Sequence, residues 1–317
     1  MILLLGASGY IGKAFATALD ARGLPYQTLP RSVYDSEDGK PLLDFLKECQ
    51  PEFAINAAGF TGKPNVDACE LAHGETLRGN VELPNKLAQA FQAQRIPWAH
   101  VSSGCIYNGA KFSADGESSI VEDLTSVREH LTATPELFHG FTETDKPNFS
   151  FDNPPCSFYS GSKAQAEKAL QKYTQVYVMR LRIPFDEQDG PRNYLAKLLR
   201  YPKIYDNANS ISHRMDFVNA TLDLWQKRAP FGVYNATNPG FVTTREVVRK
   251  IQEKLHPDRD FEFWENDEEF YREAAKAPRS NCLLDSGKLL NTGVAMRPVE
   301  AALEDALDNW IPEKQDA

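Results

Sequence analysis

The chain has 317 residues, a formal net charge of −9, 42% hydrophobic residues and 25% charged residues. That length builds one large domain or two moderate ones. The acidic balance excludes a nucleic-acid groove or an anionic membrane surface as the main partner, but it leaves room for a small anionic ligand held by helix N-termini and a few arginines. The cysteines are Cys49, Cys69, Cys105, Cys156 and Cys282. Their number is odd and their spacing scattered, with no zinc-knuckle pattern, so no metal site is expected and a reduced, cytoplasmic location fits.

The apolar run Ile2 to Leu5 is too short for a signal peptide or a membrane span and reads as a buried strand. Gly6-Ala7-Ser8-Gly9-Tyr10-Ile11-Gly12 follows, then Lys13 to Leu19 in helical spacing. In a strand–turn–helix of this kind Gly6 allows the tight turn, Gly9 lets the backbone approach a pyrophosphate, and Gly12 lets helix and strand pack closely. Pro25 to Leu29 reads as a second strand. Pro30-Arg31-Ser32 stands where an acid would select the ribose 2′-OH; a guanidinium and a hydroxyl suit a 2′-phosphate better, which points to NADP(H) with NAD(H) as the alternative. Arg31 as a plain surface residue is the competing reading.

Pro41 to Cys49 reads as a helix, and Phe53 to Gly59 as a strand whose small C-terminal residues Asn56-Ala57-Ala58 leave room for a cofactor. Val66 to Thr76 and Val81 to Gln94 have helical spacing, with Asn80 before the second. Trp98 to Ser103 is a strand ending in hydroxyls. Residues 108–155 are irregular, too long for a plain loop, and read as a lid or substrate wall. A helix beginning near Tyr159 and a strand over 176–182 complete a strand–helix alternation that predicts an α/β fold with a doubly wound parallel sheet. From Pro184 the rhythm changes: a helix over 193–201, short strands and loops over 203–218, a helix over 220–227, a strand over 232–236. A helix over 244–255 has Thr243 as N-cap with Glu246 three residues on. The run 261–276 is acidic and aromatic, with 262–273 read as a solvated helix face, and a terminal helix covers 299–310. The expected division is a nucleotide-binding domain over 1–183, to which the chain returns at about 211–239, and a smaller substrate domain over 184–317.

Tyr159 and Lys163 lie four apart at the start of a helix-prone run, so both heads share one face. A phenol ionises near pH ~10 and is a poor proton donor at neutrality unless its anion is stabilised. A fixed ammonium one turn away does this, and the pair becomes an acid suited to a carbonyl oxygen that receives a hydride.

The combination of Gly6-x-x-Gly9-x-x-Gly12, Asn56-Ala57-Ala58, Asn80, Ser103 and Tyr159-x-x-x-Lys163 resembles the extended short-chain dehydrogenase/reductase family. Longer stretches resemble its sugar-nucleotide reductases of rhamnose synthesis, the dTDP-4-dehydrorhamnose reductases and above all the bifunctional UDP-4-keto-6-deoxyglucose 3,5-epimerase/4-reductases. They are Asn56 to Asp67, Gly104-Cys105-Ile106, Pro147-Asn148-Phe149, Ser157 to Ser160, Pro191-Arg192-Asn193, Tyr234 to Gly240 and Ala277-Pro278-Arg279-Ser280-Asn281. The resemblance implies a Rossmann fold and a nucleotide-sugar substrate. It implies that Tyr159 protonates the sugar C4 oxygen, that Lys163 holds the nicotinamide ribose and lowers the tyrosine pKa, and that Ser103 bonds the same oxygen. The backbone at Ile183-Pro184 would lie near the nicotinamide. Cys105 and Lys197 would serve the epimerase step, Arg279 would meet a diphosphate, and Asn193 would belong to the substrate site. A homodimer is common in the fold. Segment 118–144 is longer than in the plant enzymes, and Ser103 stands for the commoner Thr. Two alternatives stay open: a reductase or epimerase alone on another nucleotide sugar, and a non-catalytic NADP-binding regulatory subunit.

Overall fold

The structure, a computed structural model, describes residues 1–36, 39–63 and 65–313; Pro64 of the 56–67 stretch lies outside the described residues. Its frame is a six-stranded, all-parallel sheet in the order Gly232–Asn235, Val176–Leu181, Trp98–Ser103, Phe53–Asn56, Ile2–Leu5, Tyr26–Thr28. The first strand explains why both faces must be covered. Ile2 and Leu4 point into one apolar cluster with Phe15, Ala18 and Phe217, while Leu3 and Leu5 point into another with Leu42, Leu87 and Phe91. All four are 0–1% exposed, and burial of each stabilises the fold by roughly 1.5–3 kcal/mol. The helices Tyr10–Ala21 and Arg214–Gln226 cover one face, and Lys40–Cys49, Leu83–Ala93 and Phe158–Leu170 the other.

Strand order reverses between Ile2–Leu5 and Phe53–Asn56. A crevice opens outside the carboxyl ends of strands at such a point, and ligands bind there. A third apolar cluster, including Phe185, Leu195, Ile204, Val247 and Leu303, lies beyond the sheet. It joins the helices Tyr194–Arg200, Thr244–Leu255 and Val299–Asp308. The Thr243/Glu246 capping box is present, with the Thr243 hydroxyl and N–H both bonded to Glu246.

Three local expectations are corrected. The stretch 108–155 is not irregular throughout: Ala110–Ala114, Glu117–Val121 and Phe138–His139 form an antiparallel sheet, with the helix Arg128–Ala133 beside it. Asp115 and Gly116 turn the hairpin with φ of 53° and 82°, the paired positive values that make Asp-Gly a strong hairpin signal. The 66–76 helix is two pieces, Val66–Glu70 and His73–Leu77; the second runs through a wide turn at Arg78–Glu82 into Leu83–Ala93 and buries Asn80 in that turn. The helix expected over 220–227 begins at Arg214, because His213 caps it by accepting from the Asp216 N–H.

A buried polar chain fastens the Phe158–Leu170 helix to the sheet. Glu167 accepts from Arg180 Nη2 at 2.8 Å and from the Ser102 hydroxyl at 2.6 Å. Arg180 reaches Asn235 Oδ1 at 3.3 Å, and Asn235 donates to the carbonyls of Phe141 and Asp285. Glu167 and Arg180 are 7% and 3% exposed. Removing one member of a buried pair leaves the other charge uncompensated, at a cost of about 3–5 kcal/mol. Glu167→Ala should therefore lose a few kcal/mol in urea unfolding, and a loss under ~0.5 kcal/mol would contradict this account.

Candidate active site

The glycine turn is built by close approach. Gly6 has φ +76°, and a Cβ there would stand 2.6 Å from the Ala58 nitrogen; one on Gly12 would stand 1.9 Å from the Gly6 carbonyl oxygen. Gly6 thus lies against the 57–58 backbone across the strand-order reversal, and Gly12 lets the helix start directly over it. Ser8 and Gly9 are exposed, Tyr10 and Ile11 half-buried. The helix that begins at Tyr10 has no side-chain N-cap and no acid in its first turn. Its leading N–H groups and positive dipole end face outward for an anion to take up.

Asn56 and Asn80 hold the neighbouring loop. Asn56 Oδ1 accepts from the Ala58 N–H at 3.0 Å. Asn80 accepts from the Phe60 N–H and donates to its carbonyl, both at 2.8 Å, and donates to Ser162 at 3.1 Å. Both are 0% exposed, so they shape the wall around a ligand through the backbone they fix. Arg31 is exposed and paired with Asp35 at 2.9 Å, with Ser32 exposed beside it. Such a solvated pair is weak and can exchange its partner for a phosphate. Ile183 has φ +38° directly before Pro184; a β-branched residue in that region is strained, and strain of this kind gathers at ligand sites.

At the carboxyl end of the 98–103 strand, the sequence bends into a short turn, Gly104–Ile106, in which Ser103 Oγ accepts from the Cys105 N–H at 3.3 Å. The Tyr159 helix starts opposite, capped by Ser157, whose hydroxyl accepts from the Ser160 N–H at 3.1 Å and donates to its Oγ at 2.8 Å. The Cys105 thiol lies in hydrogen-bond reach of the Ser103 and Ser160 hydroxyls, and the Tyr159 phenol in reach of Ser103. The Lys163 ammonium is 5.8 Å from the Tyr159 ring centroid, donates to the Val101 carbonyl at 3.4 Å, and passes close to Gly59. Ser103, Cys105, Tyr159 and Lys163 are therefore brought together.

Burial raises the Cys105 thiol above its ordinary range, while Ser103, Ser160, Arg182 and Lys163 pull it the other way. Burial lowers Lys163. The expected lowering of the Tyr159 pKa is corrected: burial raises the phenol, the Cys105 sulfur adds to this, and the Ser103 hydrogen bond and the Arg192 charge do not outweigh them. Tyr159 accordingly keeps its proton at neutral pH, which is the state a donor needs.

Lys197 approaches from the Tyr194–Arg200 helix. It is half-buried, without an anionic partner among the described residues, and its pKa is lowered by burial and then by Arg192 and Arg279. Arg192 donates to the Gly62 carbonyl at 2.8 Å, and its charge also reaches Tyr159. Two expectations are corrected in placement. Asn193 is 0% exposed; its amide donates to Asp186 and to the Gln188 carbonyl, and its oxygen caps the helix by accepting from the Leu195 N–H. No polar atom of it is left for a substrate. Arg279 is closed on Asp67 through two bonds of 2.6 and 2.7 Å. Burial works against the Asp67 charge, but the Arg279 pair holds its carboxyl below the usual range.

Sequence reasoning missed Ser160 and Arg182. Ser160 adjoins Tyr159 and could have been found as a second hydroxyl on the helix's first turn; Arg182 carried no local signal, since an arginine ending a strand is usually solvated.

Residues 1–311 match the family described as RmlD substrate binding domain. The chain belongs to that family. It is an enzyme of the short-chain dehydrogenase/reductase type. It is 30% identical over 289 residues, 90% of its length, to a trifunctional UDP-glucose 4,6-dehydratase/UDP-4-keto-6-deoxy-D-glucose 3,5-epimerase/UDP-4-keto-L-rhamnose-reductase of Arabidopsis thaliana, of which it spans 39%. It is also 30% identical over 291 residues to the bifunctional dTDP-4-dehydrorhamnose 3,5-epimerase/dTDP-4-dehydrorhamnose reductase of the same plant, covering 90% of this chain and 85% of that one. The solved UDP-rhamnose synthase of Acanthamoeba polyphaga mimivirus superposes with a TM-score of 0.81 at 25% identity, covering 97% of this chain and 98% of that one. The dTDP-4-dehydrorhamnose reductase of Bacillus anthracis, solved in complex with NADP, shares the fold at a TM-score of 0.71 and 17% identity over 98% of this chain and 97% of that one. No helix among the described residues is long and apolar enough to cross a membrane.

The Lys197 environment is directly testable. With lysines carrying ¹³C-methyl labels, the Lys197 resonance should titrate below the ordinary lysine range of about 10.4, and Arg192→Gln should move its midpoint upward. A midpoint at the ordinary value would overturn the reading of a desolvated amine beside two guanidiniums.

Proposed function

We propose that this enzyme acts on a nucleotide-linked 4-keto-6-deoxyhexose, epimerising C3 and C5 and then reducing the C4 ketone with NADPH. The observation that carries the reading is the convergence of the Ser103 hydroxyl, the Cys105 thiol and the Tyr159 phenol around Lys163, beside the uncapped glycine turn. The turn Gly6 to Gly12 fits a pyrophosphate, and Arg31 with Ser32 fits a 2′-phosphate better than a bare ribose. Ala57, Ala58 and the strained Ile183 would border the dinucleotide, with Asn56 and Asn80 fixing that border and Lys163 and Tyr159 toward its nicotinamide end. When bound, this cofactor supplies the hydride for C4.

A C4 ketone acidifies the hydrogens on C3 and C5, and donors to the ketone oxygen stabilise the enolate formed when either leaves. Ser103 and Tyr159 are those donors. In a gluco-configured ring the two hydrogens lie on the same face, so a base on that face and an acid on the other serve both centres. We take Lys197 as the base, since burial and two guanidiniums work against its ammonium, and Cys105 as the acid, since burial works against its thiolate. Tyr159 then gives its proton to the C4 oxygen as the hydride arrives.

Incubation with UDP-4-keto-6-deoxyglucose and NADPH in deuterated water should oxidise NADPH and place deuterium at C3 and C5. Tyr159→Phe should slow the hydride step by about 10²-fold or more, and Cys105→Ala should abolish the inversion of C3 and C5. Hydride transfer without deuterium would leave a plain reductase and remove the roles of Cys105 and Lys197. No turnover with either the UDP or the dTDP sugar would overturn the reading.

The pH dependence has a definite sign. Inversion needs Lys197 deprotonated and Cys105 protonated, so the rate at which label is set with inversion should rise with pH on an acid limb set by Lys197 and fall on an alkaline limb set by Cys105. The first limb lies below the range of an ordinary lysine and the second above that of an ordinary thiol. A profile measured by label incorporation that lacks the acid limb would contradict the assignment.

A further inference from the structure

Three arginines are buried: Arg180, Arg182 and Arg214, at 3%, 3% and 8% exposure. Arg180 pairs with Glu167 at 2.8 Å and Arg214 with Asp186 at 2.5 Å. Arg182 pairs with no carboxylate among the described residues. Its Nη1 donates to Ser280 Oγ at 3.1 Å and its Nη2 to the Ser280 carbonyl at 2.7 Å, with a further bond to Asn209 Oδ1. All three acceptors are neutral, and its Nε is buried with no partner at all. A buried cation without an anion costs several kcal/mol, so the full positive charge at this point calls for a function.

What faces it is the turn that carries Cys105. The Arg182 Cδ lies 3.6 Å from where a Cβ on Gly104 would stand. Two thiols lie in its field, Cys105 and Cys282. Cys282 is 0% exposed and donates its S–H to the Gly104 carbonyl at 3.5 Å, which commits it to the neutral form. Cys105 is half-exposed and turned toward Ser103 and Ser160. The other titratable groups around Cys105 are Lys163 and Tyr159 on the catalytic helix, and the thiols of Cys69, Cys156 and Cys282. Lys163 is the second cation, and its placement beside Tyr159 ties it to the carbonyl chemistry. Among the carboxylates of the described residues, Glu70, which accepts from the Phe158 N–H at 2.7 Å, acts on Cys69 and Cys156, and Glu167, paired with Arg180, acts on Lys163; neither pairs with Arg182.

We propose that Arg182 is a positioning residue whose unpaired guanidinium holds the Cys105 thiolate when Cys105 has delivered its proton to the sugar ring. This rests on the acid role of Cys105 given above. In that step the S–H bond breaks and its electron pair stays on sulfur; the proton bonds to the enolate carbon, whose electron pair comes from the C=C bond, and the C4 ketone re-forms. One negative charge moves from the enolate to sulfur, and Arg182 meets it there. Ser103 and Ser160 supply hydrogen bonds to the same sulfur but no charge.

The test is the alkylation rate of Cys105 by iodoacetamide as a function of pH, read by peptide mass mapping on the full chain, for the wild type, Arg182→Gln and Arg182→Lys. Arg182→Gln keeps donors to Asn209 and Ser280 but removes the charge. It should shift the Cys105 midpoint up by about one unit or more and slow alkylation at neutral pH by about tenfold. Arg182→Lys should restore most of both, and deuterium incorporation at C3 and C5 should follow the same order. A folded Arg182→Gln protein with the wild-type alkylation profile would show that Arg182 only braces residues 209 and 280. Should the glutamine variant not fold, Arg182→His, an imidazole that is uncharged where the thiol titrates, takes its place: a raised Cys105 midpoint supports the proposal, and a folded variant with the wild-type profile overturns it. If Cys105→Ala still inverts C3 and C5, the acid role fails independently of the alkylation result.

Discussion

The buried pair of Glu167 and Arg180 is the constraint on which the site depends. The Phe158–Leu170 helix has Tyr159 near its start and Glu167 two turns further on. Glu167 binds the central strand through Ser102 and the adjacent strand through Arg180. One carboxylate thus fixes rotation and height for the whole helix, and with them the direction of Tyr159 and Lys163. Asn235 extends the link to the sixth strand and to the segments beyond the sheet. Charged groups so deep are no cheap source of stability; their value here is geometric, because bonds with direction define a position that apolar packing alone would leave adjustable.

A second theme is the imbalance of charge. Overall the chain is acidic, yet the cations Lys163, Arg182, Arg192 and Lys197 stand around Tyr159 and Cys105, while Glu167 is taken up by Arg180 and Asp67 by Arg279. Such a pocket stabilises negative charge wherever it develops: on an enolate oxygen, on a sulfur, or on the phosphates of a nucleotide. The acidic exterior keeps that preference local.

Much of this was readable in the chain. The glycine turn showed because only residues lacking a Cβ fit where Gly6 and Gly12 meet other backbone. The Tyr159/Lys163 pair showed because helical spacing converts sequence distance into a shared face, and the capping box at Thr243 showed because it is a contact between near neighbours. What stayed hidden was set by partners far along the chain. Nothing near Arg279 says that Asp67 will close on it, nothing near Asn193 says that Asp186 will claim its amide, and a lysine four residues from a tyrosine does not reveal that burial will dominate the phenol's ionisation. The hairpin at Asp115-Gly116 is different: its signal was local and legible, and was submerged by the irregular composition around it.

The small sheet over 110–139 carries one further consequence. Its inner end is closed by the C-terminal segment: the Gly109 N–H donates to the Asn281 carbonyl at 2.6 Å, the Leu283 N–H to the Gly109 carbonyl at 3.1 Å, and the Phe141 N–H to the Leu283 carbonyl at 2.9 Å. Leu283 also completes the apolar cluster beneath Leu131 and Phe138. A ribosome making about 5–20 residues per second needs on the order of ten seconds to travel from Gly109 to Asn281. For that interval the small sheet has emerged without the segment that closes it. Tertiary completion at this place therefore waits for residues far downstream in the chain, and truncation near residue 280 would damage the sheet at 110–139.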